Sequence, residues 1–411
     1  MEQMNEFSTY QRIDKFRLFD FLILLIGITM FANSLFFVDQ SWFLIISFFF
    51  LGVNHYVKRY GNIKILLLVL ILWSFINFIS IAFNRTSFST ITFLGYGIRI
   101  SIAFFLVHSL RGQFWCRFEK FVFVLTCISL IIFGLNLLSP SIFHELKVLF
   151  QPITNDVLFR KEAQQDFWNN FFYTHSGRND GRNSGFMWEP GAFAMSSIIM
   201  IIINWCRNGT QISKRYLIYI LAIITTFSTA GYTSLICLII AHSFNKKIVF
   251  LFFGVIMIFV VLNSNFLYRD FLIPKIEEFL VEVNDEIFYD QVITERVEAN
   301  RISFFQINVL KVIQFPIGYG VVEDVQSFNS SIKIVGVGGL SDVLYKWGFL
   351  GLFCFIYLIW KVLSRYLPIS FKSFQIGLVM MALITIFFSN PIESNLIGFM
   401  MSFTYFLPRA A

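Results

Sequence analysis

Arg178, Arg182 and Glu189 stand together in RNDGRNSGFMWEPGAFA (178–194), where a long polar loop runs into an apolar segment. A charge carried into hydrocarbon costs about 3 kcal/mol, so charged groups persist at such a junction chiefly where something uses them. A guanidinium fork grips phosphate oxygens bidentately and stays charged at any working pH. Partial burial raises a carboxylate's pKa toward the range where it serves as a general base. Glu189 is followed by Pro190 and Gly191. Proline is accommodated in a first helical turn, and glycine lets another group approach the backbone. The combination fits a site for an anionic or polar ligand at a membrane surface, with Gly185 among its binding residues. A second role for Glu189 stays open beside the base, that of capping the helix that follows.

A second group lies far along the chain. Arg296 and Arg301 occur in TERVEANRISFFQINVLKVIQF (294–315), a helical pattern ended by the proline–glycine break PIGYG (316–320). Arg182 and Arg301 thus sit on different loops, each next to an apolar helix. They have two uses: a fork for phosphate, or a snorkelling contact with lipid headgroups. Arg99, in GYGIRISIAFF (95–105), is placed inside an apolar segment, where a charge is a binding candidate by default. Pairing with Glu393 is its structural alternative. Asp342 and Lys346, spaced i,i+4 in GGLSDVLYKWGFLGLF (338–353), read as an ion pair. The five histidines show no HxxxH spacing and the five cysteines no CxxC, so no metal, cofactor or disulfide is assigned.

These residues belong to a membrane protein. Of 411 residues 57% are hydrophobic and only 14% charged, with a mean hydropathy of +0.70. That excludes a soluble domain. Apolar runs of spanning length occur near 18–38, 41–57, 63–83, 91–110, 119–138, 186–205, 247–264, 341–363, 372–389 and 392–407. The first is not followed by a small-residue cleavage site and is expected to remain in place. The stretch 216–244 is too long for one helix and is interrupted by STAGYT (228–233). Lys and Arg cluster at 55–64, 111–120, 206–215, 245–247 and 361–372. All five clusters are cytoplasmic only if 216–244 crosses an even number of times, as two short helices or a re-entrant hairpin. The expected fold is an all-α polytopic bundle of about 12 crossings, or about 10 plus a hairpin, with both termini cytoplasmic. Two long outer loops follow, 139–185 and 265–340. The net charge of +7 is the positive-inside surplus and implies no nucleic-acid partner.

Three segments carry a resemblance: GRNSGFMWEPGAFA, ANRISFFQINVLKVIQFPIGYG and GGLSDVLYKWGFLGLF, in that order on the two outer loops and the helices they enter. The chain resembles the O-antigen polymerase and ligase family, the Wzy-type polymerases of bacterial surface polysaccharide. The resemblance implies a GT-C-like glycosyltransferase of the bacterial inner membrane, independent of metal. Its substrate would be undecaprenyl-diphosphate-linked oligosaccharide, and a chain-length regulator protein is an implied partner. By position Arg182 and Arg301 match the family's loop arginines, which hold the diphosphate, with Arg99, Arg178 and Arg296 as further substrate contacts. Ligases of the family carry a histidine shortly before a GxxG; here Val337, Gly338 and Gly339 precede Gly348 and Gly351, without a histidine. That departure favours polymerase over ligase. A flippase for the same lipid-linked unit is the rival from another class, but it would bring short loops and inverted repeats.

Overall fold

The computed structural model describes residues 18–32, 40–58, 62–84, 90–149, 167–169, 171–176, 181–209, 213–243, 301–320, 339–390 and 396–407. In chain order the helices are α1 (Leu18–Ala32), α2 (Gln40–Lys58), α3 (Ile63–Asn84), α4 (Thr90–His108), α5 (Phe114–Leu138) and α6 (Pro140–Leu149). After them come α7 (Pro190–Asn208), α8 (Lys214–Thr225), α9 (Thr229–Ser243), α10 (Arg301–Gln314), α11 (Gly339–Tyr366), α12 (Ser373–Phe388) and α13 (Ile397–Thr404). Among the described residues five helices, α3, α4, α5, α7 and α11, are long and apolar enough to cross a membrane. Large apolar side chains such as Phe49, Leu68, Ile71, Phe75 and Phe353 face outward. Such extensive exposed apolar surface is what lipid, and not water, covers. The protein is a membrane-embedded helical bundle. The expected run 247–264 lies outside the described residues, as does most of the loop 265–340.

At the centre stands α7, whose residues from Ala192 to Ile202 are all buried. A helix apolar on every face belongs inside a bundle. Its neighbours come close where side chains are small: a methyl on Gly231 of α9 would meet Ala194 Cβ at 2.7 Å. Two side-chain bonds zip α9 to α12, from Ser234 Oγ to Ala382 O at 2.8 Å and from Gln375 Nε2 to Ala241 O at 2.7 Å.

One end of the bundle gathers the basic residues. Arg117 pairs with Asp20, tying α5 to α1. Glu119, wholly buried, takes Arg215 Nη1 at 2.6 Å and lies 3.8 Å from Arg207 Nη1, joining α5 to α7 and α8. Trp205 stacks on Tyr216 and His242 at this end, so α8 starts and α9 finishes beside the end of α7. The stretch 216–244 therefore goes in and comes back, as the charge pattern requires. With 12 residues, α8 rises roughly 18 Å, short of the roughly 30 Å hydrocarbon core. The pair is a hairpin, turning at Thr226–Ser228 with Phe227 at φ 48.

Loop 139–185 departs slightly from the all-helical expectation. Its described part contains a two-stranded antiparallel hairpin, β1 (Phe167–Asn169) and β2 (Thr174–Ser176), with Trp168 opposite His175. The rings of Tyr173 and His175 meet Phe143 of α6 edge-on at 6.0 and 5.3 Å.

Helix α11 is broken at Gly348, whose φ of 63 leaves the α-helical region. A break frees carbonyls that the helix would have used. The segment PIGYG fills them: Tyr319 N donates to Tyr345 O at 2.9 Å and Gly320 N to Lys346 O at 2.8 Å, while Phe349 N donates to Pro316 O at 3.0 Å. The Tyr319 and Tyr345 rings stack at 4.8 Å. Gly318, at φ 85, and Gly348 pass so close that a side chain on either would overlap the other strand's backbone. Gly348→Ala should therefore destabilise the protein by about 2 kcal/mol or more, from the left-handed backbone alone plus the overlap. Thermal unfolding of the purified variant in detergent checks this, and an unchanged midpoint would contradict the clamp.

Candidate functional site

All three motif segments meet at the end of α12 that lies away from the basic cluster. Helix α12 stops there because Asn390 precedes Pro391, and proline disfavours a helical backbone in the residue before it. Asn390 is fully buried, and its Nδ2 donates to Ile386 O at 2.8 Å. Gly339, which opens α11, packs so tightly on the carbonyls of Phe387 and Asn390 that no side chain fits. One turn into α11's partner, Phe305 of α10 sets its ring edge-on to Phe388 at 5.2 Å. Asn308 Nδ2 reaches Ser341 O at 3.4 Å. From the other side comes the start of α7. A methyl on Gly191 would lie 3.4 Å from Asn390 Oδ1, 3.7 Å from Glu189 Oε1 and 3.9 Å from Ser228 Oγ.

Glu189 occupies the N-cap position of α7 in extended conformation (φ −151, ψ 160), yet its side chain makes no capping bond. The capping role left open by the sequence is not the one adopted. With Pro190 at the first helical position one of the orphan N–H groups is already absent. The half-buried carboxylate lies instead beside Gly191, with Oε1 3.7 Å from the position a Cβ there would take.

Arg182 has a partner that the sequence did not announce. Its Nε donates to Thr226 O at 3.1 Å and its Nη2 to Phe227 O at 3.3 Å. Asn183 joins it: its N donates to Thr225 O at 3.0 Å and its Nδ2 to Thr225 Oγ1 at 2.9 Å. These are the carbonyls that a helix leaves unsatisfied at its C-terminus, where a cation is also favoured. Arg182 thus fastens the tip of the α8–α9 hairpin to the loop that carries Glu189. Gly185 adopts φ 54, and its open side is filled by the Phe193 ring; its N donates to Asn183 Oδ1 at 2.8 Å. It shapes the turn that delivers Glu189.

Arg301 opens α10, one helical turn before Phe305. Arg178, Arg296 and Glu393 lie outside the described residues. Arg99 is separate from Glu189's neighbourhood by its contacts. It stands 5.7 Å from the Tyr96 ring, which also carries Lys346 Nζ 5.0 Å from its centroid and 2.6 Å from its hydroxyl. Both cations thus meet one tyrosine between α4 and α11, and Lys346 ties the two helices together. Among the described residues no three His, Cys, Asp or Glu side chains come together as a metal-binding group.

No family model, curated protein or solved structure matches this chain.

Sequence reasoning passed over Asn390, Ser228 and Asn183. The signal for the first was an Asn-Pro step closing an apolar run; for the second, the hairpin break itself, noted only for its effect on topology.

Proposed function

We propose that the chain is a Wzy-type polymerase. It would join undecaprenyl-diphosphate-linked oligosaccharide repeat units into O-antigen or capsular polysaccharide on the periplasmic side of a bacterial inner membrane. The observation that carries this reading is the convergence of the three motif segments on the end of α12, opposite the basic residues that mark a cytoplasmic face. In this proposal the fold is GT-C-like with about 10 crossings plus the re-entrant α8–α9 hairpin.

The chemistry follows from the groups present. An acceptor sugar hydroxyl gives its proton to Glu189 as its oxygen attacks the donor's anomeric carbon. The bond from that carbon to the diphosphate oxygen breaks, and the leaving group carries away its electron pair as undecaprenyl diphosphate. Fixed guanidinium groups stabilise the charge that develops on it. Arg301, at the start of α10, is the cation suited to that task, while Arg182 holds the loop in place and adds its charge nearby. An apolar bundle surface admits the lipid tail from the side.

The test is direct. Purified protein in lipid nanodiscs, supplied with lipid-linked repeat units extracted from cells lacking this chain, should yield a ladder of longer glycans and free undecaprenyl diphosphate. Diphosphate release without a ladder, or no change in the lipid-linked pool, would reject the polymerase.

A further inference from the structure

We propose that the space above Gly191 is a subsite for a neutral, hydroxyl-bearing group, the acceptor sugar, held by Asn390 Oδ1 and Ser228 Oγ beside Glu189. The proposal rests on the polymerase reading and names which substrate this part of the site takes. Three oxygens from three separate elements, the entry to α7, the hairpin tip and the end of α12, converge on the position that a Cβ on Gly191 would take, at 3.7, 3.9 and 3.4 Å. Asn390 Oδ1 is buried and makes no hydrogen bond among the described residues. A buried acceptor left without a donor is costly, and such an atom in a native fold calls for a partner. Ser228 Oγ accepts from Gly231 N at 3.3 Å, which leaves its hydroxyl proton to donate.

Complementarity decides the ligand's class. Asn390 Oδ1 can only accept, and a phosphate oxygen has no proton to give it, so this space does not suit the diphosphate. A sugar hydroxyl both donates and accepts. One hydroxyl pointed at Glu189 and a neighbouring one given to Asn390 would be fixed together, and this holds the reacting oxygen in line. Asn390 is on this account a positioning residue: it holds the acceptor and takes no proton.

Gly191→Ala tests this cleanly. The added methyl would sit at ordinary contact distance from all three oxygens, with no overlap of backbone. Alanine also favours a helix more than glycine does. A purely structural glycine predicts an unchanged or raised melting temperature and unchanged activity. The subsite predicts the same melting behaviour but polymer formation lowered on the order of 100-fold, because the acceptor is pushed out of line. Asn390→Asp, which keeps the shape and sets a second carboxylate beside the first, should likewise weaken acceptor binding, seen as a raised KM with diphosphate-lipid binding unaltered.

A binding arm separates this proposal from the polymerase assignment. Wild-type protein and Gly191→Ala in nanodiscs would be titrated with the repeat-unit oligosaccharide released from its lipid by mild acid. The expected result is a thermal shift with wild type that Gly191→Ala lacks. Equal shifts in both, or none in wild type, would overturn the subsite even if the wild type polymerises. A wild type that binds the oligosaccharide but forms no polymer would leave the subsite standing and remove the polymerase. Full polymer formation by Gly191→Ala would mean that the space holds water only, and the proposal fails.

Discussion

Glu189→Gln should lower polymer formation on the order of 100-fold or more while leaving the protein folded. Glutamine keeps the size and hydrogen-bonding reach of the side chain and removes the one property a base needs. The structure sharpens the contrast with a structural role. A capping carboxylate would cost about 1 kcal/mol of stability when replaced, but this carboxylate makes no capping bond to α7. The dominant effect should therefore fall on turnover per folded molecule and not on the capping of α7. The measurement is glycan formed per folded molecule in nanodiscs, alongside unfolding of the same preparation. Near-normal turnover would remove Glu189 from the mechanism and direct attention to Asp342 or His175.

Arg182→Ala should fail in two ways at once. It removes two charge-assisted bonds to Thr226 O and Phe227 O, worth about 2 kcal/mol together or more, and it frees the hairpin tip from the loop that presents Glu189. Chain extension should be lost along with stability. Arg182→Lys separates the contributions. A lysine restores a cation at the end of α8, which favours the helix dipole by about 0.5 kcal/mol. It cannot span two carbonyls with a planar fork. Partial recovery of the melting temperature with little recovery of activity is the expected pattern. Full recovery of both would make Arg182 a generic positive charge at a helix end.

How much of this was legible in the sequence depends on the range of the interaction. The charge clusters and apolar runs required 216–244 to return to its starting side, a local property; the turn itself falls at Thr226–Ser228, ahead of the expected STAGYT, whose residues from Thr229 on are already helical. Arg182 and Glu189 stood out because charge at a membrane junction is expensive. Their partners did not, because helix-end carbonyls at Thr226 and Phe227 lie more than forty residues away and bear no side-chain signature. Gly318 and Gly348 look unremarkable apart; only their close passage explains both. Glu119 likewise hid among basic residues that seemed to be a topology signal alone. It is buried against two of them, so part of that cluster serves helix packing. The Asn-Pro step at Asn390 marked a helix end but not its bare acceptor, because an unsatisfied oxygen is a property of surroundings and not of residue type.

The surface polysaccharide of a strain from which this chain is deleted decides whether the protein is a polymerase. The polymerase account predicts surface glycan capped at a single repeat unit, restored to long chains by the wild-type protein and not by Glu189→Gln. Loss of all surface glycan, with lipid-linked units accumulating, would contradict it and point to a ligase or flippase.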